Sequence, residues 1–319
     1  MRGRGLERFA WLFLAYLIAV ILFGAWVRIT GSGAGCGSHW PLCDGEVAPV
    51  NPGAEKLIEF THRVTSGLCG VFGLILMGWA WLVDRRSATF RAACWTFFFI
   101  LVEGGLGAML VLEGLVADDA SGARAFVVGL HLSNTLALTA AAALTAWVAG
   151  GRPVRLLDHA GGWRWKFGLA LAFIMATSAT GAVTALGDTL FPIEPAFGPG
   201  LLDKIGADIS ATNHFLVRMR ALHPAVAVGT ALYLLWILIP AARRRPGGWA
   251  AIGVWMVLVE LVAGAVNVIL AAPGWLQIIH LLLADIVWVA TLLTGAEGDP
   301  AAAPEPEQEA LVAAAPALK

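Results

Sequence analysis

The sequence predicts an all-α membrane protein with eight transmembrane helices, arranged as two tandem pseudo-symmetric four-helix bundles. Three observations predict this fold class. The 319 residues are 59% hydrophobic and only 13% charged, with a mean hydropathy of +0.77, whereas soluble domains carry about 25% charged residues. Eight apolar stretches reach the length of about 20 residues that a transmembrane helix needs. The first four stretches also share sequence motifs with the last four.

Each predicted helix is an apolar run that ends at segments rich in charged residues, glycine or proline. A basic segment, "MRGRGLER", precedes the first run and resembles the start of a signal peptide. The run that follows is long and has no obvious small-residue cleavage site, so we expect a retained first helix. The predicted spans are residues 9–29, 57–83, 92–113, 125–149, 164–186, 217–240, 248–270 and 275–296.

The basic residues are distributed unequally between the two sides of the predicted helices. An even number of spans puts both termini on one side, and that side carries fourteen of the 21 Lys and Arg residues. Short basic loops favour the cytoplasm, so the sequence predicts a plasma-membrane protein with both termini in the cytoplasm. The net charge of −1 averages this basic side with an acidic tail and identifies no partner. Nothing in the sequence resembles a nucleic-acid surface or a phosphate-binding glycine loop.

An internal repeat relates the two halves of the chain. In the third span, "LVEGGLGAMLVL" matches "LVELVAGAVNVIL" of the seventh, which aligns Glu103 with Glu260 and Gly107 with Gly264. A weaker match joins "GAWVRITGSG" at the end of the first span to "GAVTALGDT" at the end of the fifth. Since each half has four spans, the repeats have the same orientation and are related by an axis along the membrane normal.

The repeat divides the chain into four predicted segments. They are an N-terminal four-helix bundle (1–149), a cytoplasmic linker (150–163), a C-terminal four-helix bundle (164–296) and a tail (297–319). The tail is rich in Ala, Pro and Glu, a composition typical of disordered segments.

Four of the seven His residues lie within predicted spans, all on even-numbered helices. Each follows the outer start of its helix by about five or six residues, so the four rings are expected to share one layer about 8–9 Å deep. Span 2 is expected to pair with span 4, and span 6 with span 8. Two imidazoles on facing helices can bind a haem iron from both sides, whereas a hydrogen-bonded core role is the alternative for each His alone. The four are His62, His131, His223 and His280.

The residues one turn before these histidines differ between the halves. Glu59 lies three residues before His62, and Arg220 lies three residues before His223. A carboxylate near a haem edge can accept protons from water, whereas an arginine suits a haem propionate. This difference favours chemistry in the first half and haem retention in the second. Glu59 also lies four residues before Arg63, the spacing of a helical ion pair.

The loop after the first span contains the motif "CGSHWPLC". Cys36 and Cys43 are predicted to form a disulfide on the oxidising side of the membrane, and a zinc site built from these cysteines and His39 is a weaker alternative. Within the spans, Glu103 and Glu260 are expected to be protonated or hydrogen-bonded at the interface between the bundles.

Two arginines lie near the outer ends of spans 1 and 6. Arg28 and Arg218 are expected either to bind haem propionates or to extend to the membrane surface.

Two of these motifs are similar to those of a known family. "GSGAGCGSHWPLCDGE", followed by "IEFTHR", resembles the haem A synthase family, and so does the duplicated eight-span layout. The resemblance implies an oxidoreductase that acts on a CH3 group, converting the C8 methyl of haem O into the formyl of haem A by successive hydroxylations with water as the oxygen source. It implies that His62 and His131 flank the substrate haem, and that His223 and His280 ligate the iron of a haem b cofactor.

The mechanistic hypothesis is that iron-linked removal of electrons makes the substrate methyl group cation-like, and that water activated near Glu59 attacks it. A second oxidation gives a gem-diol, which loses water. The resemblance also implies a redox-active role for Cys36 and Cys43, with a purely structural disulfide as the alternative. Some family members carry a second cysteine pair, but the loop at 187–204 has none.

The expected partners are the lipid bilayer, the haem O substrate, a haem O synthase and cytochrome oxidase assembly factors, and a homo-oligomer stays open. Two other function classes remain. A dihaem b-type cytochrome that relays electrons from quinol accounts for the histidines but not for Glu59 or the cysteine pair. A haem transporter is compatible with parallel repeats.

Overall fold

The computed structural model describes residues 2–156, 162–192, 210 and 212–299. For residues 2 and 3 it describes the backbone but not the side chains. Within this part of the chain, eight α-helices are long and apolar enough to cross a membrane, and there is no β-strand. The predicted all-α fold with eight transmembrane helices is therefore confirmed. The helices are α1 (Arg2–Ile29), α2 (Ala54–Asp84), α3 (Ala88–Leu112), α4 (Gly122–Ala149), α5 (Trp163–Leu190), α6 (Phe215–Arg244), α7 (Trp249–Ile269) and α8 (Gly274–Glu297).

Several helices begin before the apolar run that predicted them, because their first turns are polar and capped. The Ser87 side chain accepts a hydrogen bond from Phe90 N at the start of α3, and Ser121 accepts one from Arg124 N at the start of α4. Serine is a favoured cap because its oxygen satisfies an N–H group that has no partner within the helix. The earlier starts place three of the membrane histidines eight or nine residues into their helices, whereas His280 lies six residues into α8.

The helices pack as two groups of four. In the first group α1 contacts α2 and α4, and α3 contacts the same two helices. In the second group α5 contacts α6 and α8, and α7 contacts the same two. The groups meet where α1 and α4 lie against α5 and α8. This packing agrees with two tandem bundles, and the pseudo-symmetry axis between them stays a prediction.

We distinguish the two ends of the eight-helix assembly by what they carry. The disulfide side carries the loop with Cys36 and Cys43, and the terminal side carries the C-terminal ends of α4 and α8. The terminal side is the more densely filled. There α4 contributes fully buried alanines. Near the middle of the helices, the Trp288 indole donates a buried hydrogen bond to Leu136 O across the two groups (2.9 Å). Small residues allow such close helix contacts in membranes. Nearer the disulfide side all four membrane histidines are only half-buried.

Three predicted features fall partly or wholly outside the described residues. The linker at 150–163 is described except for 157–161, where His159 lies. Of the second-half loop, residues 193–204 lie outside the description. The predicted disordered tail lies outside it from residue 300 onwards.

Candidate functional site

Each membrane histidine lies against a glycine of the preceding odd-numbered helix. A Cβ atom added to Gly24 would lie 3.1 Å from His62 Cε1, and one added to Gly181 would lie 2.9 Å from His223 Cε1. At such distances a side chain would displace the ring, so glycine fixes where these imidazoles lie. Gly24 and Gly181 open the two segments that the weaker repeat match aligned.

The other two histidines repeat this arrangement. A Cβ on Gly107 would lie 3.7 Å from His131 Nε2, and one on Gly264 would lie 3.2 Å from His280 Cε1. Gly107 and Gly264 are the glycines that the stronger repeat match aligned. The repeat therefore marks the four backbone positions against which the four histidine rings pack.

In the second half, the two histidines face each other. The ring centroids of His223 and His280 are 6.4 Å apart, with an angle of 80° between the ring planes. Two imidazoles whose nitrogens each lie about 2 Å from one metal ion have centroids about 6 Å apart. The two rings are therefore far enough apart that they could hold one haem iron between them, and Thr180 Oγ1 lies 3.3 Å from His223 Nδ1, the ring nitrogen that would then face away from the iron.

In the first half, the two rings pack against neighbouring helices, His62 against Gly24 and His131 against Gly107. The His62 ring meets the edge of Phe23, with centroids 5.7 Å apart. Its buried Nδ1 has no hydrogen-bond partner within the described part of the chain. No hydrogen bond from the described residues therefore fixes the tautomer of His62 through Nδ1.

A carboxylate stands behind one histidine of each half. Glu103 Oε1 lies 3.0 Å from His131 Nδ1, and Glu260 Oε1 lies 3.1 Å from His280 Nδ1. The expectation that Glu103 and Glu260 lie at the interface between the bundles is therefore wrong, because both carboxylates point into their own half. Histidines that ligate metals almost always present the other ring nitrogen to a carboxylate, carbonyl or water. The two approaches fit a ligand role, although the one at His280 Nδ1 does not form a hydrogen bond.

Glu103 has two further partners that the sequence analysis missed. Asn134 Nδ2 donates to Glu103 Oε2 (2.6 Å), and the Thr135 hydroxyl donates to Glu103 Oε1. The signal was available, because these residues follow His131 by three and four positions and therefore share its helix face.

Glu59 is buried, with 4% of its surface exposed, and both of its oxygens are bonded. Cys36 N donates to Oε2 (2.8 Å), and Arg63 Nε donates to Oε1 (3.0 Å). The ion pair with Arg63 that the spacing suggested is therefore present. The carboxylate also ties the disulfide loop to α2, three residues from His62.

The loop on the disulfide side is closed by a bond between Cys36 and Cys43, so the predicted disulfide is confirmed and the zinc alternative, which needs free thiolates, is wrong. Among the described residues no group of three or more His, Cys, Asp and Glu could hold a metal ion.

Asp44 pairs with Lys56, whose hydrogen bond holds the pKa of the Asp44 carboxyl below its usual value.

Arg63 is a second anchor for this loop. Its Nη1 donates to the carbonyl oxygens of His39 (2.6 Å) and Leu42 (2.7 Å). Together with the bonds of Glu59, these contacts hold the loop from Cys36 to Leu42 against α2.

The arginines singled out by sequence have different surroundings. Arg220 Nε donates to Asp188 Oδ1 (2.7 Å), and its Nη2 donates to Gly187 O (3.2 Å) at the end of α5. Arg28 donates to Ala185 O, Thr189 Oγ1 and Gln277 Oε1 of the second half at 2.6–2.7 Å, an arrangement that neither predicted role included. Arg218 is exposed at the start of α6.

The fold and the site define a multi-pass helical membrane protein in which each half holds two histidines and one carboxylate behind them. A sequence profile of the family described as cytochrome oxidase assembly protein matches residues 7–292. The chain belongs to this family, and the predicted resemblance to haem A synthases is confirmed by relatives that carry that name.

Three relatives illustrate the match. A Thermus thermophilus protein named Protoheme IX farnesyltransferase is 45% identical over 290 residues, which cover 89% of this chain and 47% of the relative. The chain thus spans about half the length of that protein. A Heme A synthase of Alkalihalophilus pseudofirmus is 28% identical over 295 residues, covering 86% of this chain and 91% of the relative. A Heme A synthase of Halalkalibacterium halodurans is 43% identical over 112 residues, covering 35% and 38%.

Proposed function

We propose that this protein is a haem A synthase, an enzyme that oxidises the C8 methyl group of haem O to the formyl group of haem A. The observation that carries the proposal is the set of four half-buried histidines, each packed against a glycine of the neighbouring helix. Membership of the cytochrome oxidase assembly protein family and the relatives named Heme A synthase support it.

The two halves divide the work in this proposal. Residues 1–149 hold the substrate between His62 and His131, and residues 164–296 hold haem b between His223 and His280. The centroid distance of 6.4 Å in the second pair supports a resident haem there. Haem b, when bound, supplies one-electron redox capacity close to the substrate half.

The proposed reaction takes its oxygen atom from water. Converting a methyl group to a formyl group with one net water releases four electrons and four protons, so an external electron acceptor is required. Glu59 is the carboxylate nearest to His62 in sequence that can accept protons, although it must give up its bond to Cys36 or Arg63 to do so. The disulfide loop is bonded to the same helix, through Glu59 and Arg63.

Arg220 is the proposed propionate contact of the second half. It lies one helical turn before His223, and its guanidinium could pair with a haem propionate there. Its guanidinium already bonds Asp188, so a propionate must share the cation with that carboxylate.

A haem O synthase is the proposed supplier of the substrate, because haem O carries an apolar tail and stays in the bilayer. The relatives named Protoheme IX farnesyltransferase support this partnership, since about half of their length matches the present chain. We place the protein in the plasma membrane with both termini in the cytoplasm. A periplasmically active reporter fused to the C-terminus should therefore stay inactive, and an active fusion would reverse the topology.

The proposal is tested by purifying the full chain from cells that co-express a haem O synthase and identifying the extracted haems by mass. Haem A should accompany the wild type and be absent from His62→Ala. The matched control is His39→Ala, which removes a loop histidine and should leave haem A formation intact. Haem b alone in the wild type would indicate an electron-transfer cytochrome, and absence of all haem would indicate a transporter.

A further inference from the structure

The carboxylates behind His131 and His280 have unequal surroundings. Glu103 accepts hydrogen bonds from Asn134 and Thr135 in addition to its contact with His131. In the second half, Glu260 Oε2 is buried and has no hydrogen-bond partner among the residues that the structure describes. The two halves therefore share a close His–Glu approach, but in the second half neither Glu260 Oε2 nor His280 Nδ1 has a hydrogen-bond partner among the described residues.

The sequence explains the difference. The residues three and four positions after His131 are Asn134 and Thr135, whereas the corresponding residues after His280 are Leu283 and Ala284. Leu and Ala offer no donor, so the two α8 positions that correspond to Asn134 and Thr135 give the second carboxylate no hydrogen bond.

The support in the first half is firm. Asn134 is buried, with 8% of its surface exposed. Its amide nitrogen donates to Glu103 Oε2 (2.6 Å) and to Phe99 O (3.0 Å), which uses both of its protons and ties α4 to α3. The single Thr135 proton is shared between Glu103 and His131 O (2.9 Å). Asn134 is therefore the stronger of the two supports.

We propose that Asn134 and Thr135 are positioning residues that make His131 a stronger ligand than His280, by fixing Glu103 against the His131 ring. A carboxylate held against the outer nitrogen of an imidazole raises the basicity of the ligand. A more basic ligand favours ferric over ferrous iron and lowers the reduction potential. A lower potential at the substrate haem of the first half makes that haem easier to oxidise. This suits the half in which, in the proposed reaction, the substrate loses electrons. The inference rests on the proposed function, because it requires haem irons beside His131 and His280.

The test measures the reduction midpoint of haem b added to the full chain in detergent. Only one half of the chain is left able to bind haem in each measurement. The first half is isolated by replacing both histidines of the second half with alanine, and the second half by replacing both histidines of the first. With unaltered carboxylate support, the first-half haem should have the lower midpoint.

Three variants then probe the first half. Asn134→Leu with Thr135→Ala copies the second-half residues and should raise the midpoint and weaken haem binding by about 10–100-fold. Glu103→Gln keeps the size of the side chain and should act in the same direction, so it carries the test if the double variant fails to fold. Thr135→Ser keeps the hydroxyl and should behave like the wild type.

The reciprocal change provides a matched control. Leu283→Asn with Ala284→Thr should lower the midpoint of the second-half haem, because it gives Glu260 the missing donors.

The outcomes separate the inference from the proposed function. Unchanged midpoints in Glu103→Gln and in a folded Asn134→Leu/Thr135→Ala protein that still binds haem would overturn the inference alone. Failure of the wild-type protein to bind haem in either half would overturn both.

Discussion

At Glu59, one carboxylate joins the disulfide loop to the helix that carries His62. Its oxygens accept bonds from Cys36 N and Arg63 Nε in a buried setting, where a hydrogen bond to a charged group contributes about 1.5–3 kcal/mol. Anchoring the loop is therefore a sufficient reason for a carboxylate at this position. Proton transfer is the additional role proposed for Glu59, and kinetics test it.

Glu59→Gln separates the two roles. The amide keeps the size of the side chain and an oxygen acceptor for Cys36 N–H, but it cannot act as a base at neutral pH. If Glu59 accepts protons, the variant should retain the disulfide and bound haem O while kcat falls about 10²–10⁴-fold, the usual contribution of general base catalysis. Haem A formation by the purified protein measures the loss, and thiol titration checks the loop.

The control for this prediction is Arg63→Lys. Lysine keeps a positive charge beside Glu59 but loses the guanidinium bonds to the carbonyls of His39 and Leu42. This variant should loosen the loop and retain most of the activity. Equal losses of activity in Glu59→Gln and Arg63→Lys would contradict proton transfer and leave anchoring as the role of both residues.

Hydrogen bonds and ion pairs of the site were predictable only where they are local in sequence. The pair Glu59–Arg63 follows from helical spacing of four. The bond from Cys36 N spans 23 residues, and its geometry depends on how the loop folds back over α2. Spacing alone therefore identified the carboxylate but not its attachment to the disulfide.

Among the four glycines that pack against membrane histidines, Gly181 on α5 is expected to be the most sensitive to an added methyl group. Gly181→Ala would place Cβ 2.9 Å from His223 Cε1, closer than real Cβ contacts, so the ring or the helix must move. We expect loss of the second-half haem with retention of the first-half haem. Pyridine haemochrome analysis of the purified protein should show about half of the wild-type haem content.

Gly168→Ala is the matched control on the same helix, because a Cβ there meets no atom within 4 Å. It should keep full haem content, since alanine is the better helix former by about 1 kcal/mol. Full haem content in Gly181→Ala would show that the His223 position does not depend on the glycine, and would remove the close packing from the argument.

The existence of the helices was predictable because lipid imposes a single requirement, an apolar run of sufficient length. Their ends were less predictable, because α2 and α4 begin with polar turns that a hydropathy argument leaves out. The order of helices around each half needed the tertiary structure. The repeat helped at that level, since the glycines it aligned proved to be the ones that contact histidines.

On the scale of the whole molecule, Arg28 is the main polar link between the halves on the disulfide side. The guanidinium leaves α1 and donates to Ala185 O and Thr189 Oγ1 on α5 and to Gln277 Oε1 on α8. These partners lie 157 to 249 residues away in sequence, so no local pattern could predict them. The sequence analysis treated Arg28 and Arg218 alike, and the structure distinguishes them.

Arg28→Met should weaken the contact between the halves. Methionine fills part of the same volume but leaves three oxygen acceptors without their donor, and a hydrogen bond to a charged group contributes about 1.5–3 kcal/mol. Arg28 lies one turn from Gly24, and Ala185 lies one turn from Gly181, so loosening this link should also disturb the packing around His62 and His223. We expect a lower thermal midpoint and lower haem content, both measured in the same detergent. Arg218→Met removes a charge at an exposed position on the same side and should change neither quantity. An Arg28→Met protein that unfolds at the wild-type temperature would mean that apolar helix packing alone joins the two halves.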